Sequence, residues 1–123
     1  MFTNNKNSGK HMICDIKNIK NIELLNDLEK LEKMMIDICN TFSFQILGNI
    51  HHSFTPEGCS IILLLSESHM SIHTFPEKKY IAFDLYTCRT YNDNTEYNKI
   101  YEYLILKLEA SESSSLQIID REF

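Results

Sequence analysis

A chain of 123 residues, 43% apolar and 24% charged, has the size and make-up of one globular domain. Its formal net charge of −5, without a lysine- or arginine-rich stripe, argues against nucleic acid or an anionic membrane surface as partner. The most apolar run, Ile61–Leu65, falls far short of the roughly 20 residues of a membrane span. Residues 1–10 are polar, with no apolar signal core, and read as a disordered leader to a single domain at 11–123. Cys14, Cys39, Cys59 and Cys88 form no C-x-x-C pair, so free thiols and a cytoplasmic location are expected.

His11–Ile16 reads as a first strand. Leu24, Leu28, Leu31, Met35 and Ile38 then recur at helical steps, opposite Glu23, Glu29, Lys30, Glu32 and Lys33. This predicts an amphipathic helix of about 20 residues, with Asn21 as its cap. Phe42–Ile50 alternates as a second strand, with Phe44, Ile46 and Ile50 facing inward. Pro56 and Gly58 mark His51–Gly58 as a loop. Cys59–Leu65 is a third strand, apolar enough to be buried on both faces or to lie inside a sheet. In His69–Thr74, Met70, Ile72 and Thr74 alternate with His69, Ser71 and His73, which predicts a fourth strand. After a turn at Pro76–Lys79, Tyr80–Thr87 is a fifth. Asp93 or Asn94 caps a second helix reaching about Ala110, and Leu116–Ile119 closes the chain as a strand. The order β-α-β-β-β-β-α-β predicts an α+β fold: a two-layer α/β sandwich, mostly antiparallel, with two helices on one sheet face. The other face also needs a cover, which a homodimer supplies.

The densest polar cluster follows the most apolar strand: Ser66-Glu67-Ser68-His69-Met70-Ser71-Ile72-His73-Thr74-Phe75-Pro76-Glu77. Alternation puts His69, Ser71 and His73 on one strand face. A wetted sheet face with idle histidines accounts for that pattern. So does a metal site from His51, His52, His69 and His73, although no known ligand spacing is present. A Cys88 nucleophile paired with His73 or His69 is a third reading. No glycine-rich phosphate loop exists, the glycines being Gly9, Gly48 and Gly58.

The same stretch resembles the signature of the short prokaryotic-type S-adenosylmethionine decarboxylases. Further matches stand in order: Gly9-x-His11 with Asp15, His52-x-Phe54-x-Pro56-x-Gly58, Asp84, and Thr87-Cys88. The resemblance implies a pyruvoyl enzyme made by self-cleavage at Glu67–Ser68, giving a β chain of residues 1–67 and an α chain of residues 68–123. Ser68 becomes the pyruvoyl group, which forms a Schiff base with the substrate amine and replaces pyridoxal phosphate as electron sink. No metal is implied. His73 matches the proton-transfer residue of processing, assisted by Ser60. Cys88 matches the proton donor of decarboxylation, a task that suits a thiol because an ordinary thiol is mostly protonated at neutral pH. Phe54, Phe75 and Glu77 match the positions that hold the adenine. The implied assembly is a dimer of αβ units with both sites near the interface, acting in polyamine (spermidine) synthesis.

This sequence has Phe75 where tryptophan or tyrosine is usual, and Arg89 where glycine commonly follows the cysteine. Arg89 could meet a substrate carboxylate or be solvated. Ornithine or arginine is therefore the alternative substrate. An unprocessed homologue acting as a binding partner is the alternative of another class.

Overall fold

The computed structural model describes residues 7–89, 93–110 and 113–123. Among the described residues, six strands form one antiparallel sheet: β1 (Asn7–Ile16), β2 (Ile46–Ser53), β3 (Cys59–Leu65), β4 (Ser68–Phe75), β5 (Tyr80–Thr87) and β6 (Ser115–Glu122). Their spatial order is β2-β3-β4-β5-β1-β6. Helices α1 (Leu28–Thr41) and α2 (Thr95–Leu108) supply the second layer, so the α+β sandwich is as expected.

Strand alternation builds the core. Met12, Cys14 and Ile16 of β1, Ile61, Leu63 and Leu65 of β3, Met70 and Ile72 of β4, and Ile81, Phe83 and Leu85 of β5 are buried on one sheet face. Leu31, Met35 and Ile38 of α1 and Tyr97, Ile100 and Leu104 of α2 belong to the same cluster. The alternate residues of the sheet form an open face.

Several boundaries differ from expectation. β1 begins at Asn7 rather than His11, because the β1 ladder with β6 extends to Asn7 opposite Glu122. Residues 7–10 are therefore strand and not leader, while residues 1–6 lie outside the described residues. The first helical segment is two pieces. A 3-10 turn covers Ile22–Asn26, and Asp27, in extended conformation, starts α1 afresh by accepting the Lys30 N–H at 3.1 Å. Asn21 makes no side-chain cap; its amide donates to the Lys107 carbonyl instead.

β2 starts at Ile46 rather than Phe42, since Phe42 is the C-cap of α1 and Ser43 has φ +59°. It runs to Ser53 and takes in His51 and His52, so these three residues are strand and not loop. Phe44 is buried, but Ile50 is 69% exposed, against expectation. The register shift between Ile46 and Gly48 inserts Leu47, reverses the facing of the residues after it, and sets Ile50 opposite Ile62 on the open face. β3 is an interior strand buried on one face only, with Ile62 and Leu64 exposed. α2 stops at Leu108, where Glu109 takes φ +52°, and β6 is longer than predicted. Among the described residues no helix is long and apolar enough to cross a membrane.

Candidate active site

β3 and β4 form a tight hairpin. Leu65 pairs with Ser68, leaving Ser66 and Glu67 as the turn. The Ser66 N–H donates to the Gln45 carbonyl at 3.0 Å. Glu67 has φ +57°, a left-handed conformation that costs a side-chain-bearing residue about 1–2 kcal/mol. The peptide after this residue is Glu67–Ser68.

Ser68 opens β4 and is 8% exposed. Its Oγ accepts the Cys88 N–H at 3.3 Å. Cys88 lies just past the end of β5, where β5 is the neighbour of β4, so the topology itself joins Ser68 to Cys88. Thr87 before it is buried, and its hydroxyl bonds the Tyr97 hydroxyl at 2.7 Å. Gly9 of β1 packs against the same backbone. A Cβ there would lie 1.9 Å from the Thr87 carbonyl oxygen, and φ is +153°, so only glycine fits. Cys88 is half-buried, whereas Cys14, Cys39 and Cys59 are buried. Burial pushes the Cys14 thiol up to about 12, with Asp84 and Asp15 adding to it. Burial likewise pushes Cys39 up to about 11.

A second group sits at the far end of β4. Ser60 of β3 faces His73 across the ladder, and the Ser60 hydroxyl lies 2.7 Å from His73 Nδ1. Both belong to the lining of a cleft of about 320 Å³, with Phe54, Glu57, Phe75 and Glu77 around it. Thr74 underlies the cleft; its hydroxyl accepts the Cys59 N–H at 2.8 Å and donates to the Leu25 carbonyl at 2.7 Å. Gly58 holds the 54–58 loop in place through its N–H to the Asn26 amide oxygen at 2.9 Å. Phe75 packs at 5.6 Å from the Tyr80 ring, and Phe54 at 4.6 Å from the His52 ring.

The structure thus joins Ser68 to Cys88, and joins Ser60, His73, Phe54, Phe75 and Glu77. It does not join the two groups within one chain. His73 is five residues from Ser68, roughly 16 Å along an extended strand. It also points to the open face, while Ser68 points with Met70 and Ile72 to the helices.

On the open face between them, His11 Nε2 lies 3.1 Å from an Asp84 carboxylate oxygen. The His69 ring stacks on Tyr86 at 6.0 Å. Asp15 accepts the Tyr80 hydroxyl; burial and this carboxylate push the Tyr80 phenol up to about 12. The four histidines of the metal reading are dispersed. His51 pairs with Glu32 at 3.1 Å and His73 with Ser60. Among the described residues no three His, Cys, Asp or Glu side chains group as metal ligands.

In the sequence, Gly9 stood among the family matches without an assigned role, and Tyr97 had no part in the site. Gly9 carried a signal, as one of the few glycines in an otherwise strand-like stretch. Tyr97 carried none beyond its place in the apolar stripe of α2. Arg89, set beside Cys88 in sequence, turns away to donate to the carbonyls of Phe42 and Ser43.

Residues 10–122 match the family model described as S-adenosylmethionine decarboxylase. The chain belongs to the S-adenosylmethionine decarboxylase family. Its similarity to an S-adenosylmethionine decarboxylase proenzyme of Pelotomaculum thermopropionicum is 36% identity over 68% of this chain and 65% of the relative. For the proenzyme of Brevibacillus brevis the figures are 41%, 65% and 59%. These alignments thus span a little under two thirds of the relatives' length. S-adenosylmethionine decarboxylase proenzyme 1 of Bacillus cereus is 31% identical over 89% of this chain and 82% of that one. The fold is that of the crystal structure of the adenosylmethionine decarboxylase from Aquifex aeolicus, with a TM-score of 0.82 at 23% identity, covering 96% of this chain and 93% of that one.

Proposed function

We propose that this chain is a self-cleaving proenzyme that decarboxylates S-adenosylmethionine and works as a homodimer. One observation carries the reading. A serine hydroxyl, held by the Cys88 N–H, directly follows a residue in left-handed conformation, Glu67, and a thiol-bearing residue lies beside it.

Ser68 Oγ attacks the Glu67 carbonyl carbon. The peptide C–N bond breaks, the hydroxyl proton passes to the freed nitrogen, and an ester replaces the amide. Loss of the Ser68 Cα proton then expels the Glu67 carboxylate. Addition of one water and release of ammonia leave a pyruvoyl end at residue 68. The left-handed strain at Glu67 is released as the amide breaks, which lowers the barrier. Once formed, the pyruvoyl group supplies a ketone that binds the substrate amine and draws electrons as carbon dioxide leaves. The residues fit such a group, because residue 68 is small, buried and next to a polar N–H. The Cys88 thiol returns a proton to the substrate's α carbon.

His73 and Ser60 form a ready proton carrier, but one set apart from Ser68 in the same chain. A second copy, packed across the open face, supplies them at the turn that carries the Glu67–Ser68 peptide. Leu47, Ile50, Ile62 and Leu64, exposed by 56, 69, 42 and 56%, give that face an apolar surface to bury. The cleft of Phe54, Phe75 and Glu77 then adjoins the partner's Ser68. Two phenyl rings and a carboxylate suit an adenine and a ribose, and aromatic faces favour a sulfonium cation. This supports the nucleoside substrate over ornithine or arginine, which have no flat base to stack. The product would be the aminopropyl donor of polyamine synthesis.

Intact-mass measurement tests the proposal. Purified protein is expected as two chains, 1–67 and 68–123, the second lacking a free amine, with carbon dioxide released from S-adenosylmethionine. Ser68→Ala is expected to stay whole. A parent chain that keeps its full mass on long incubation would leave an unprocessed binding homologue as the better account.

A further inference from the structure

The proposed cleavage and decarboxylation steps leave Arg89 without a role, although it is the residue after Cys88. Its guanidinium donates to the backbone carbonyls of Phe42 and Ser43 and lies 4.2 Å over the Phe44 ring. A planar fork can meet two carbonyls and a ring at once; an ammonium cannot. The receiving segment is itself firmly held. The Phe42 N–H donates to the Ile38 carbonyl at 3.0 Å, the Phe44 N–H donates to the Cys39 carbonyl at 2.8 Å, and Phe44 is buried.

The opposite side of the same backbone is fixed too. Gly9 lies so close that an added Cβ would fall 1.9 Å from the Thr87 carbonyl oxygen and 2.9 Å from the Cys88 Cα, and the Thr87 hydroxyl is tied to Tyr97. The β1–β5 ladder ends at Lys10 opposite Thr87. The Cys88 peptide therefore lies beyond the last ladder pair, between the ladder on one side and the Arg89 tether on the other. Its N–H is the donor to Ser68 Oγ. That bond fixes the oxygen and leaves the hydroxyl's own proton to be given to a base.

We propose that Arg89 is a positioning residue for self-cleavage: by clamping the chain to the 42–44 turn, it fixes the Cys88 peptide that holds the Ser68 hydroxyl. The proposal rests on the self-cleavage reading. It also assigns the arginine a role that does not involve the substrate carboxylate.

The test compares the full-length parent with Arg89→Met, which keeps the stem, and Arg89→Lys, which keeps a charge. Two rates are read: precursor cleavage by intact mass, and alkylation of Cys88 by iodoacetamide, which is independent of cleavage. A misplacement of about 1 Å in a reacting group can cost on the order of 100-fold in rate, so Arg89→Met is expected to slow cleavage by roughly tenfold or more. Its Cys88 should alkylate several-fold faster, because the peptide is released. Arg89→Lys should fall between, recovering one of the two carbonyl contacts. If Arg89→Met fails to fold, as judged by melting temperature, Arg89→Lys carries the decision by the same two rates. Parent rates of cleavage and alkylation in the folded variant overturn the proposal. So does slow cleavage with unchanged alkylation, since the effect would not then run through Cys88. A parent that does not cleave sinks the self-cleavage reading alone, and the alkylation arm still decides the tether.

Discussion

Cys88 differs from the other three cysteines in what surrounds it. Cys14 and Cys39 sit in the core, where burial raises their thiols to about 12 and about 11. At neutral pH they keep their protons, present almost no thiolate and are screened from solvent. Cys59 is buried as well, at the start of β3. Cys88 alone is half-buried, at the end of a strand and one hydrogen bond from Ser68. One equivalent of iodoacetamide at neutral pH is therefore expected to label Cys88 and to abolish decarboxylation in proportion, read by peptide mass and by carbon dioxide release. Cys88→Ala should still cleave its own chain, because the N–H that holds Ser68 belongs to the backbone. Its turnover should fall by about 100-fold or more, the usual contribution of a positioned proton donor. Normal turnover in Cys88→Ala would remove the thiol from the mechanism.

At the scale of elements, the hairpin of β3 and β4 concentrates the proposed chemistry. A two-residue connection forces Glu67 to φ +57°. Asparagine tolerates that conformation better than glutamate. Glu67→Asn is therefore expected to stabilise the uncleaved hairpin by up to about 1 kcal/mol and to slow self-cleavage by up to about fivefold, the same energy appearing in the barrier. Denaturant unfolding in the Ser68→Ala background gives the first quantity and the parent background gives the second. Faster cleavage in Glu67→Asn would mean that strain does not drive the step. The bounds of β3 and β5 were legible in the sequence because apolar runs and turn residues mark both ends. The candidate site came from the resemblance carried by Ser66–Glu77, since the polar cluster after a buried strand left three readings open. The facing of β2 was not, because the extra residue at Leu47 reverses it and no residue type announces a bulge. Nor was the break at Asp27, where the apolar stripe continues across a cap. Ser68 and His73 are close in sequence, yet five extended residues separate them and odd spacing turns them to opposite faces.

Under the proposed chemistry, that separation makes the active site a property of the whole molecule. A chain alone holds Ser68 and Cys88 at one end of β4, and Ser60 with His73 at the other, on the open face. In the proposed homodimer, a twofold axis through that face would set each end beside the opposite end of the other copy, the self-complementary contact of a closed dimer. Complementation between two inactive chains tests this directly. Ser68→Ala lacks the nucleophile and His73→Ala lacks the proton carrier, so each alone is expected to stay uncleaved. When the two are unfolded, mixed and refolded together, a mixed dimer holds one site with both groups intact and one with neither. Only the His73→Ala chain should then be cut, and with equal amounts and random pairing no more than about half of it, since the other half pairs with itself. Intact mass distinguishes the two chains and gives the fraction. Cleavage of His73→Ala on its own would show that His73 is dispensable. A mixture that stays uncleaved while sizing as dimers would place both groups in the same protomer's site, which requires β4 to rearrange in a way its ladders with β3 and β5 oppose.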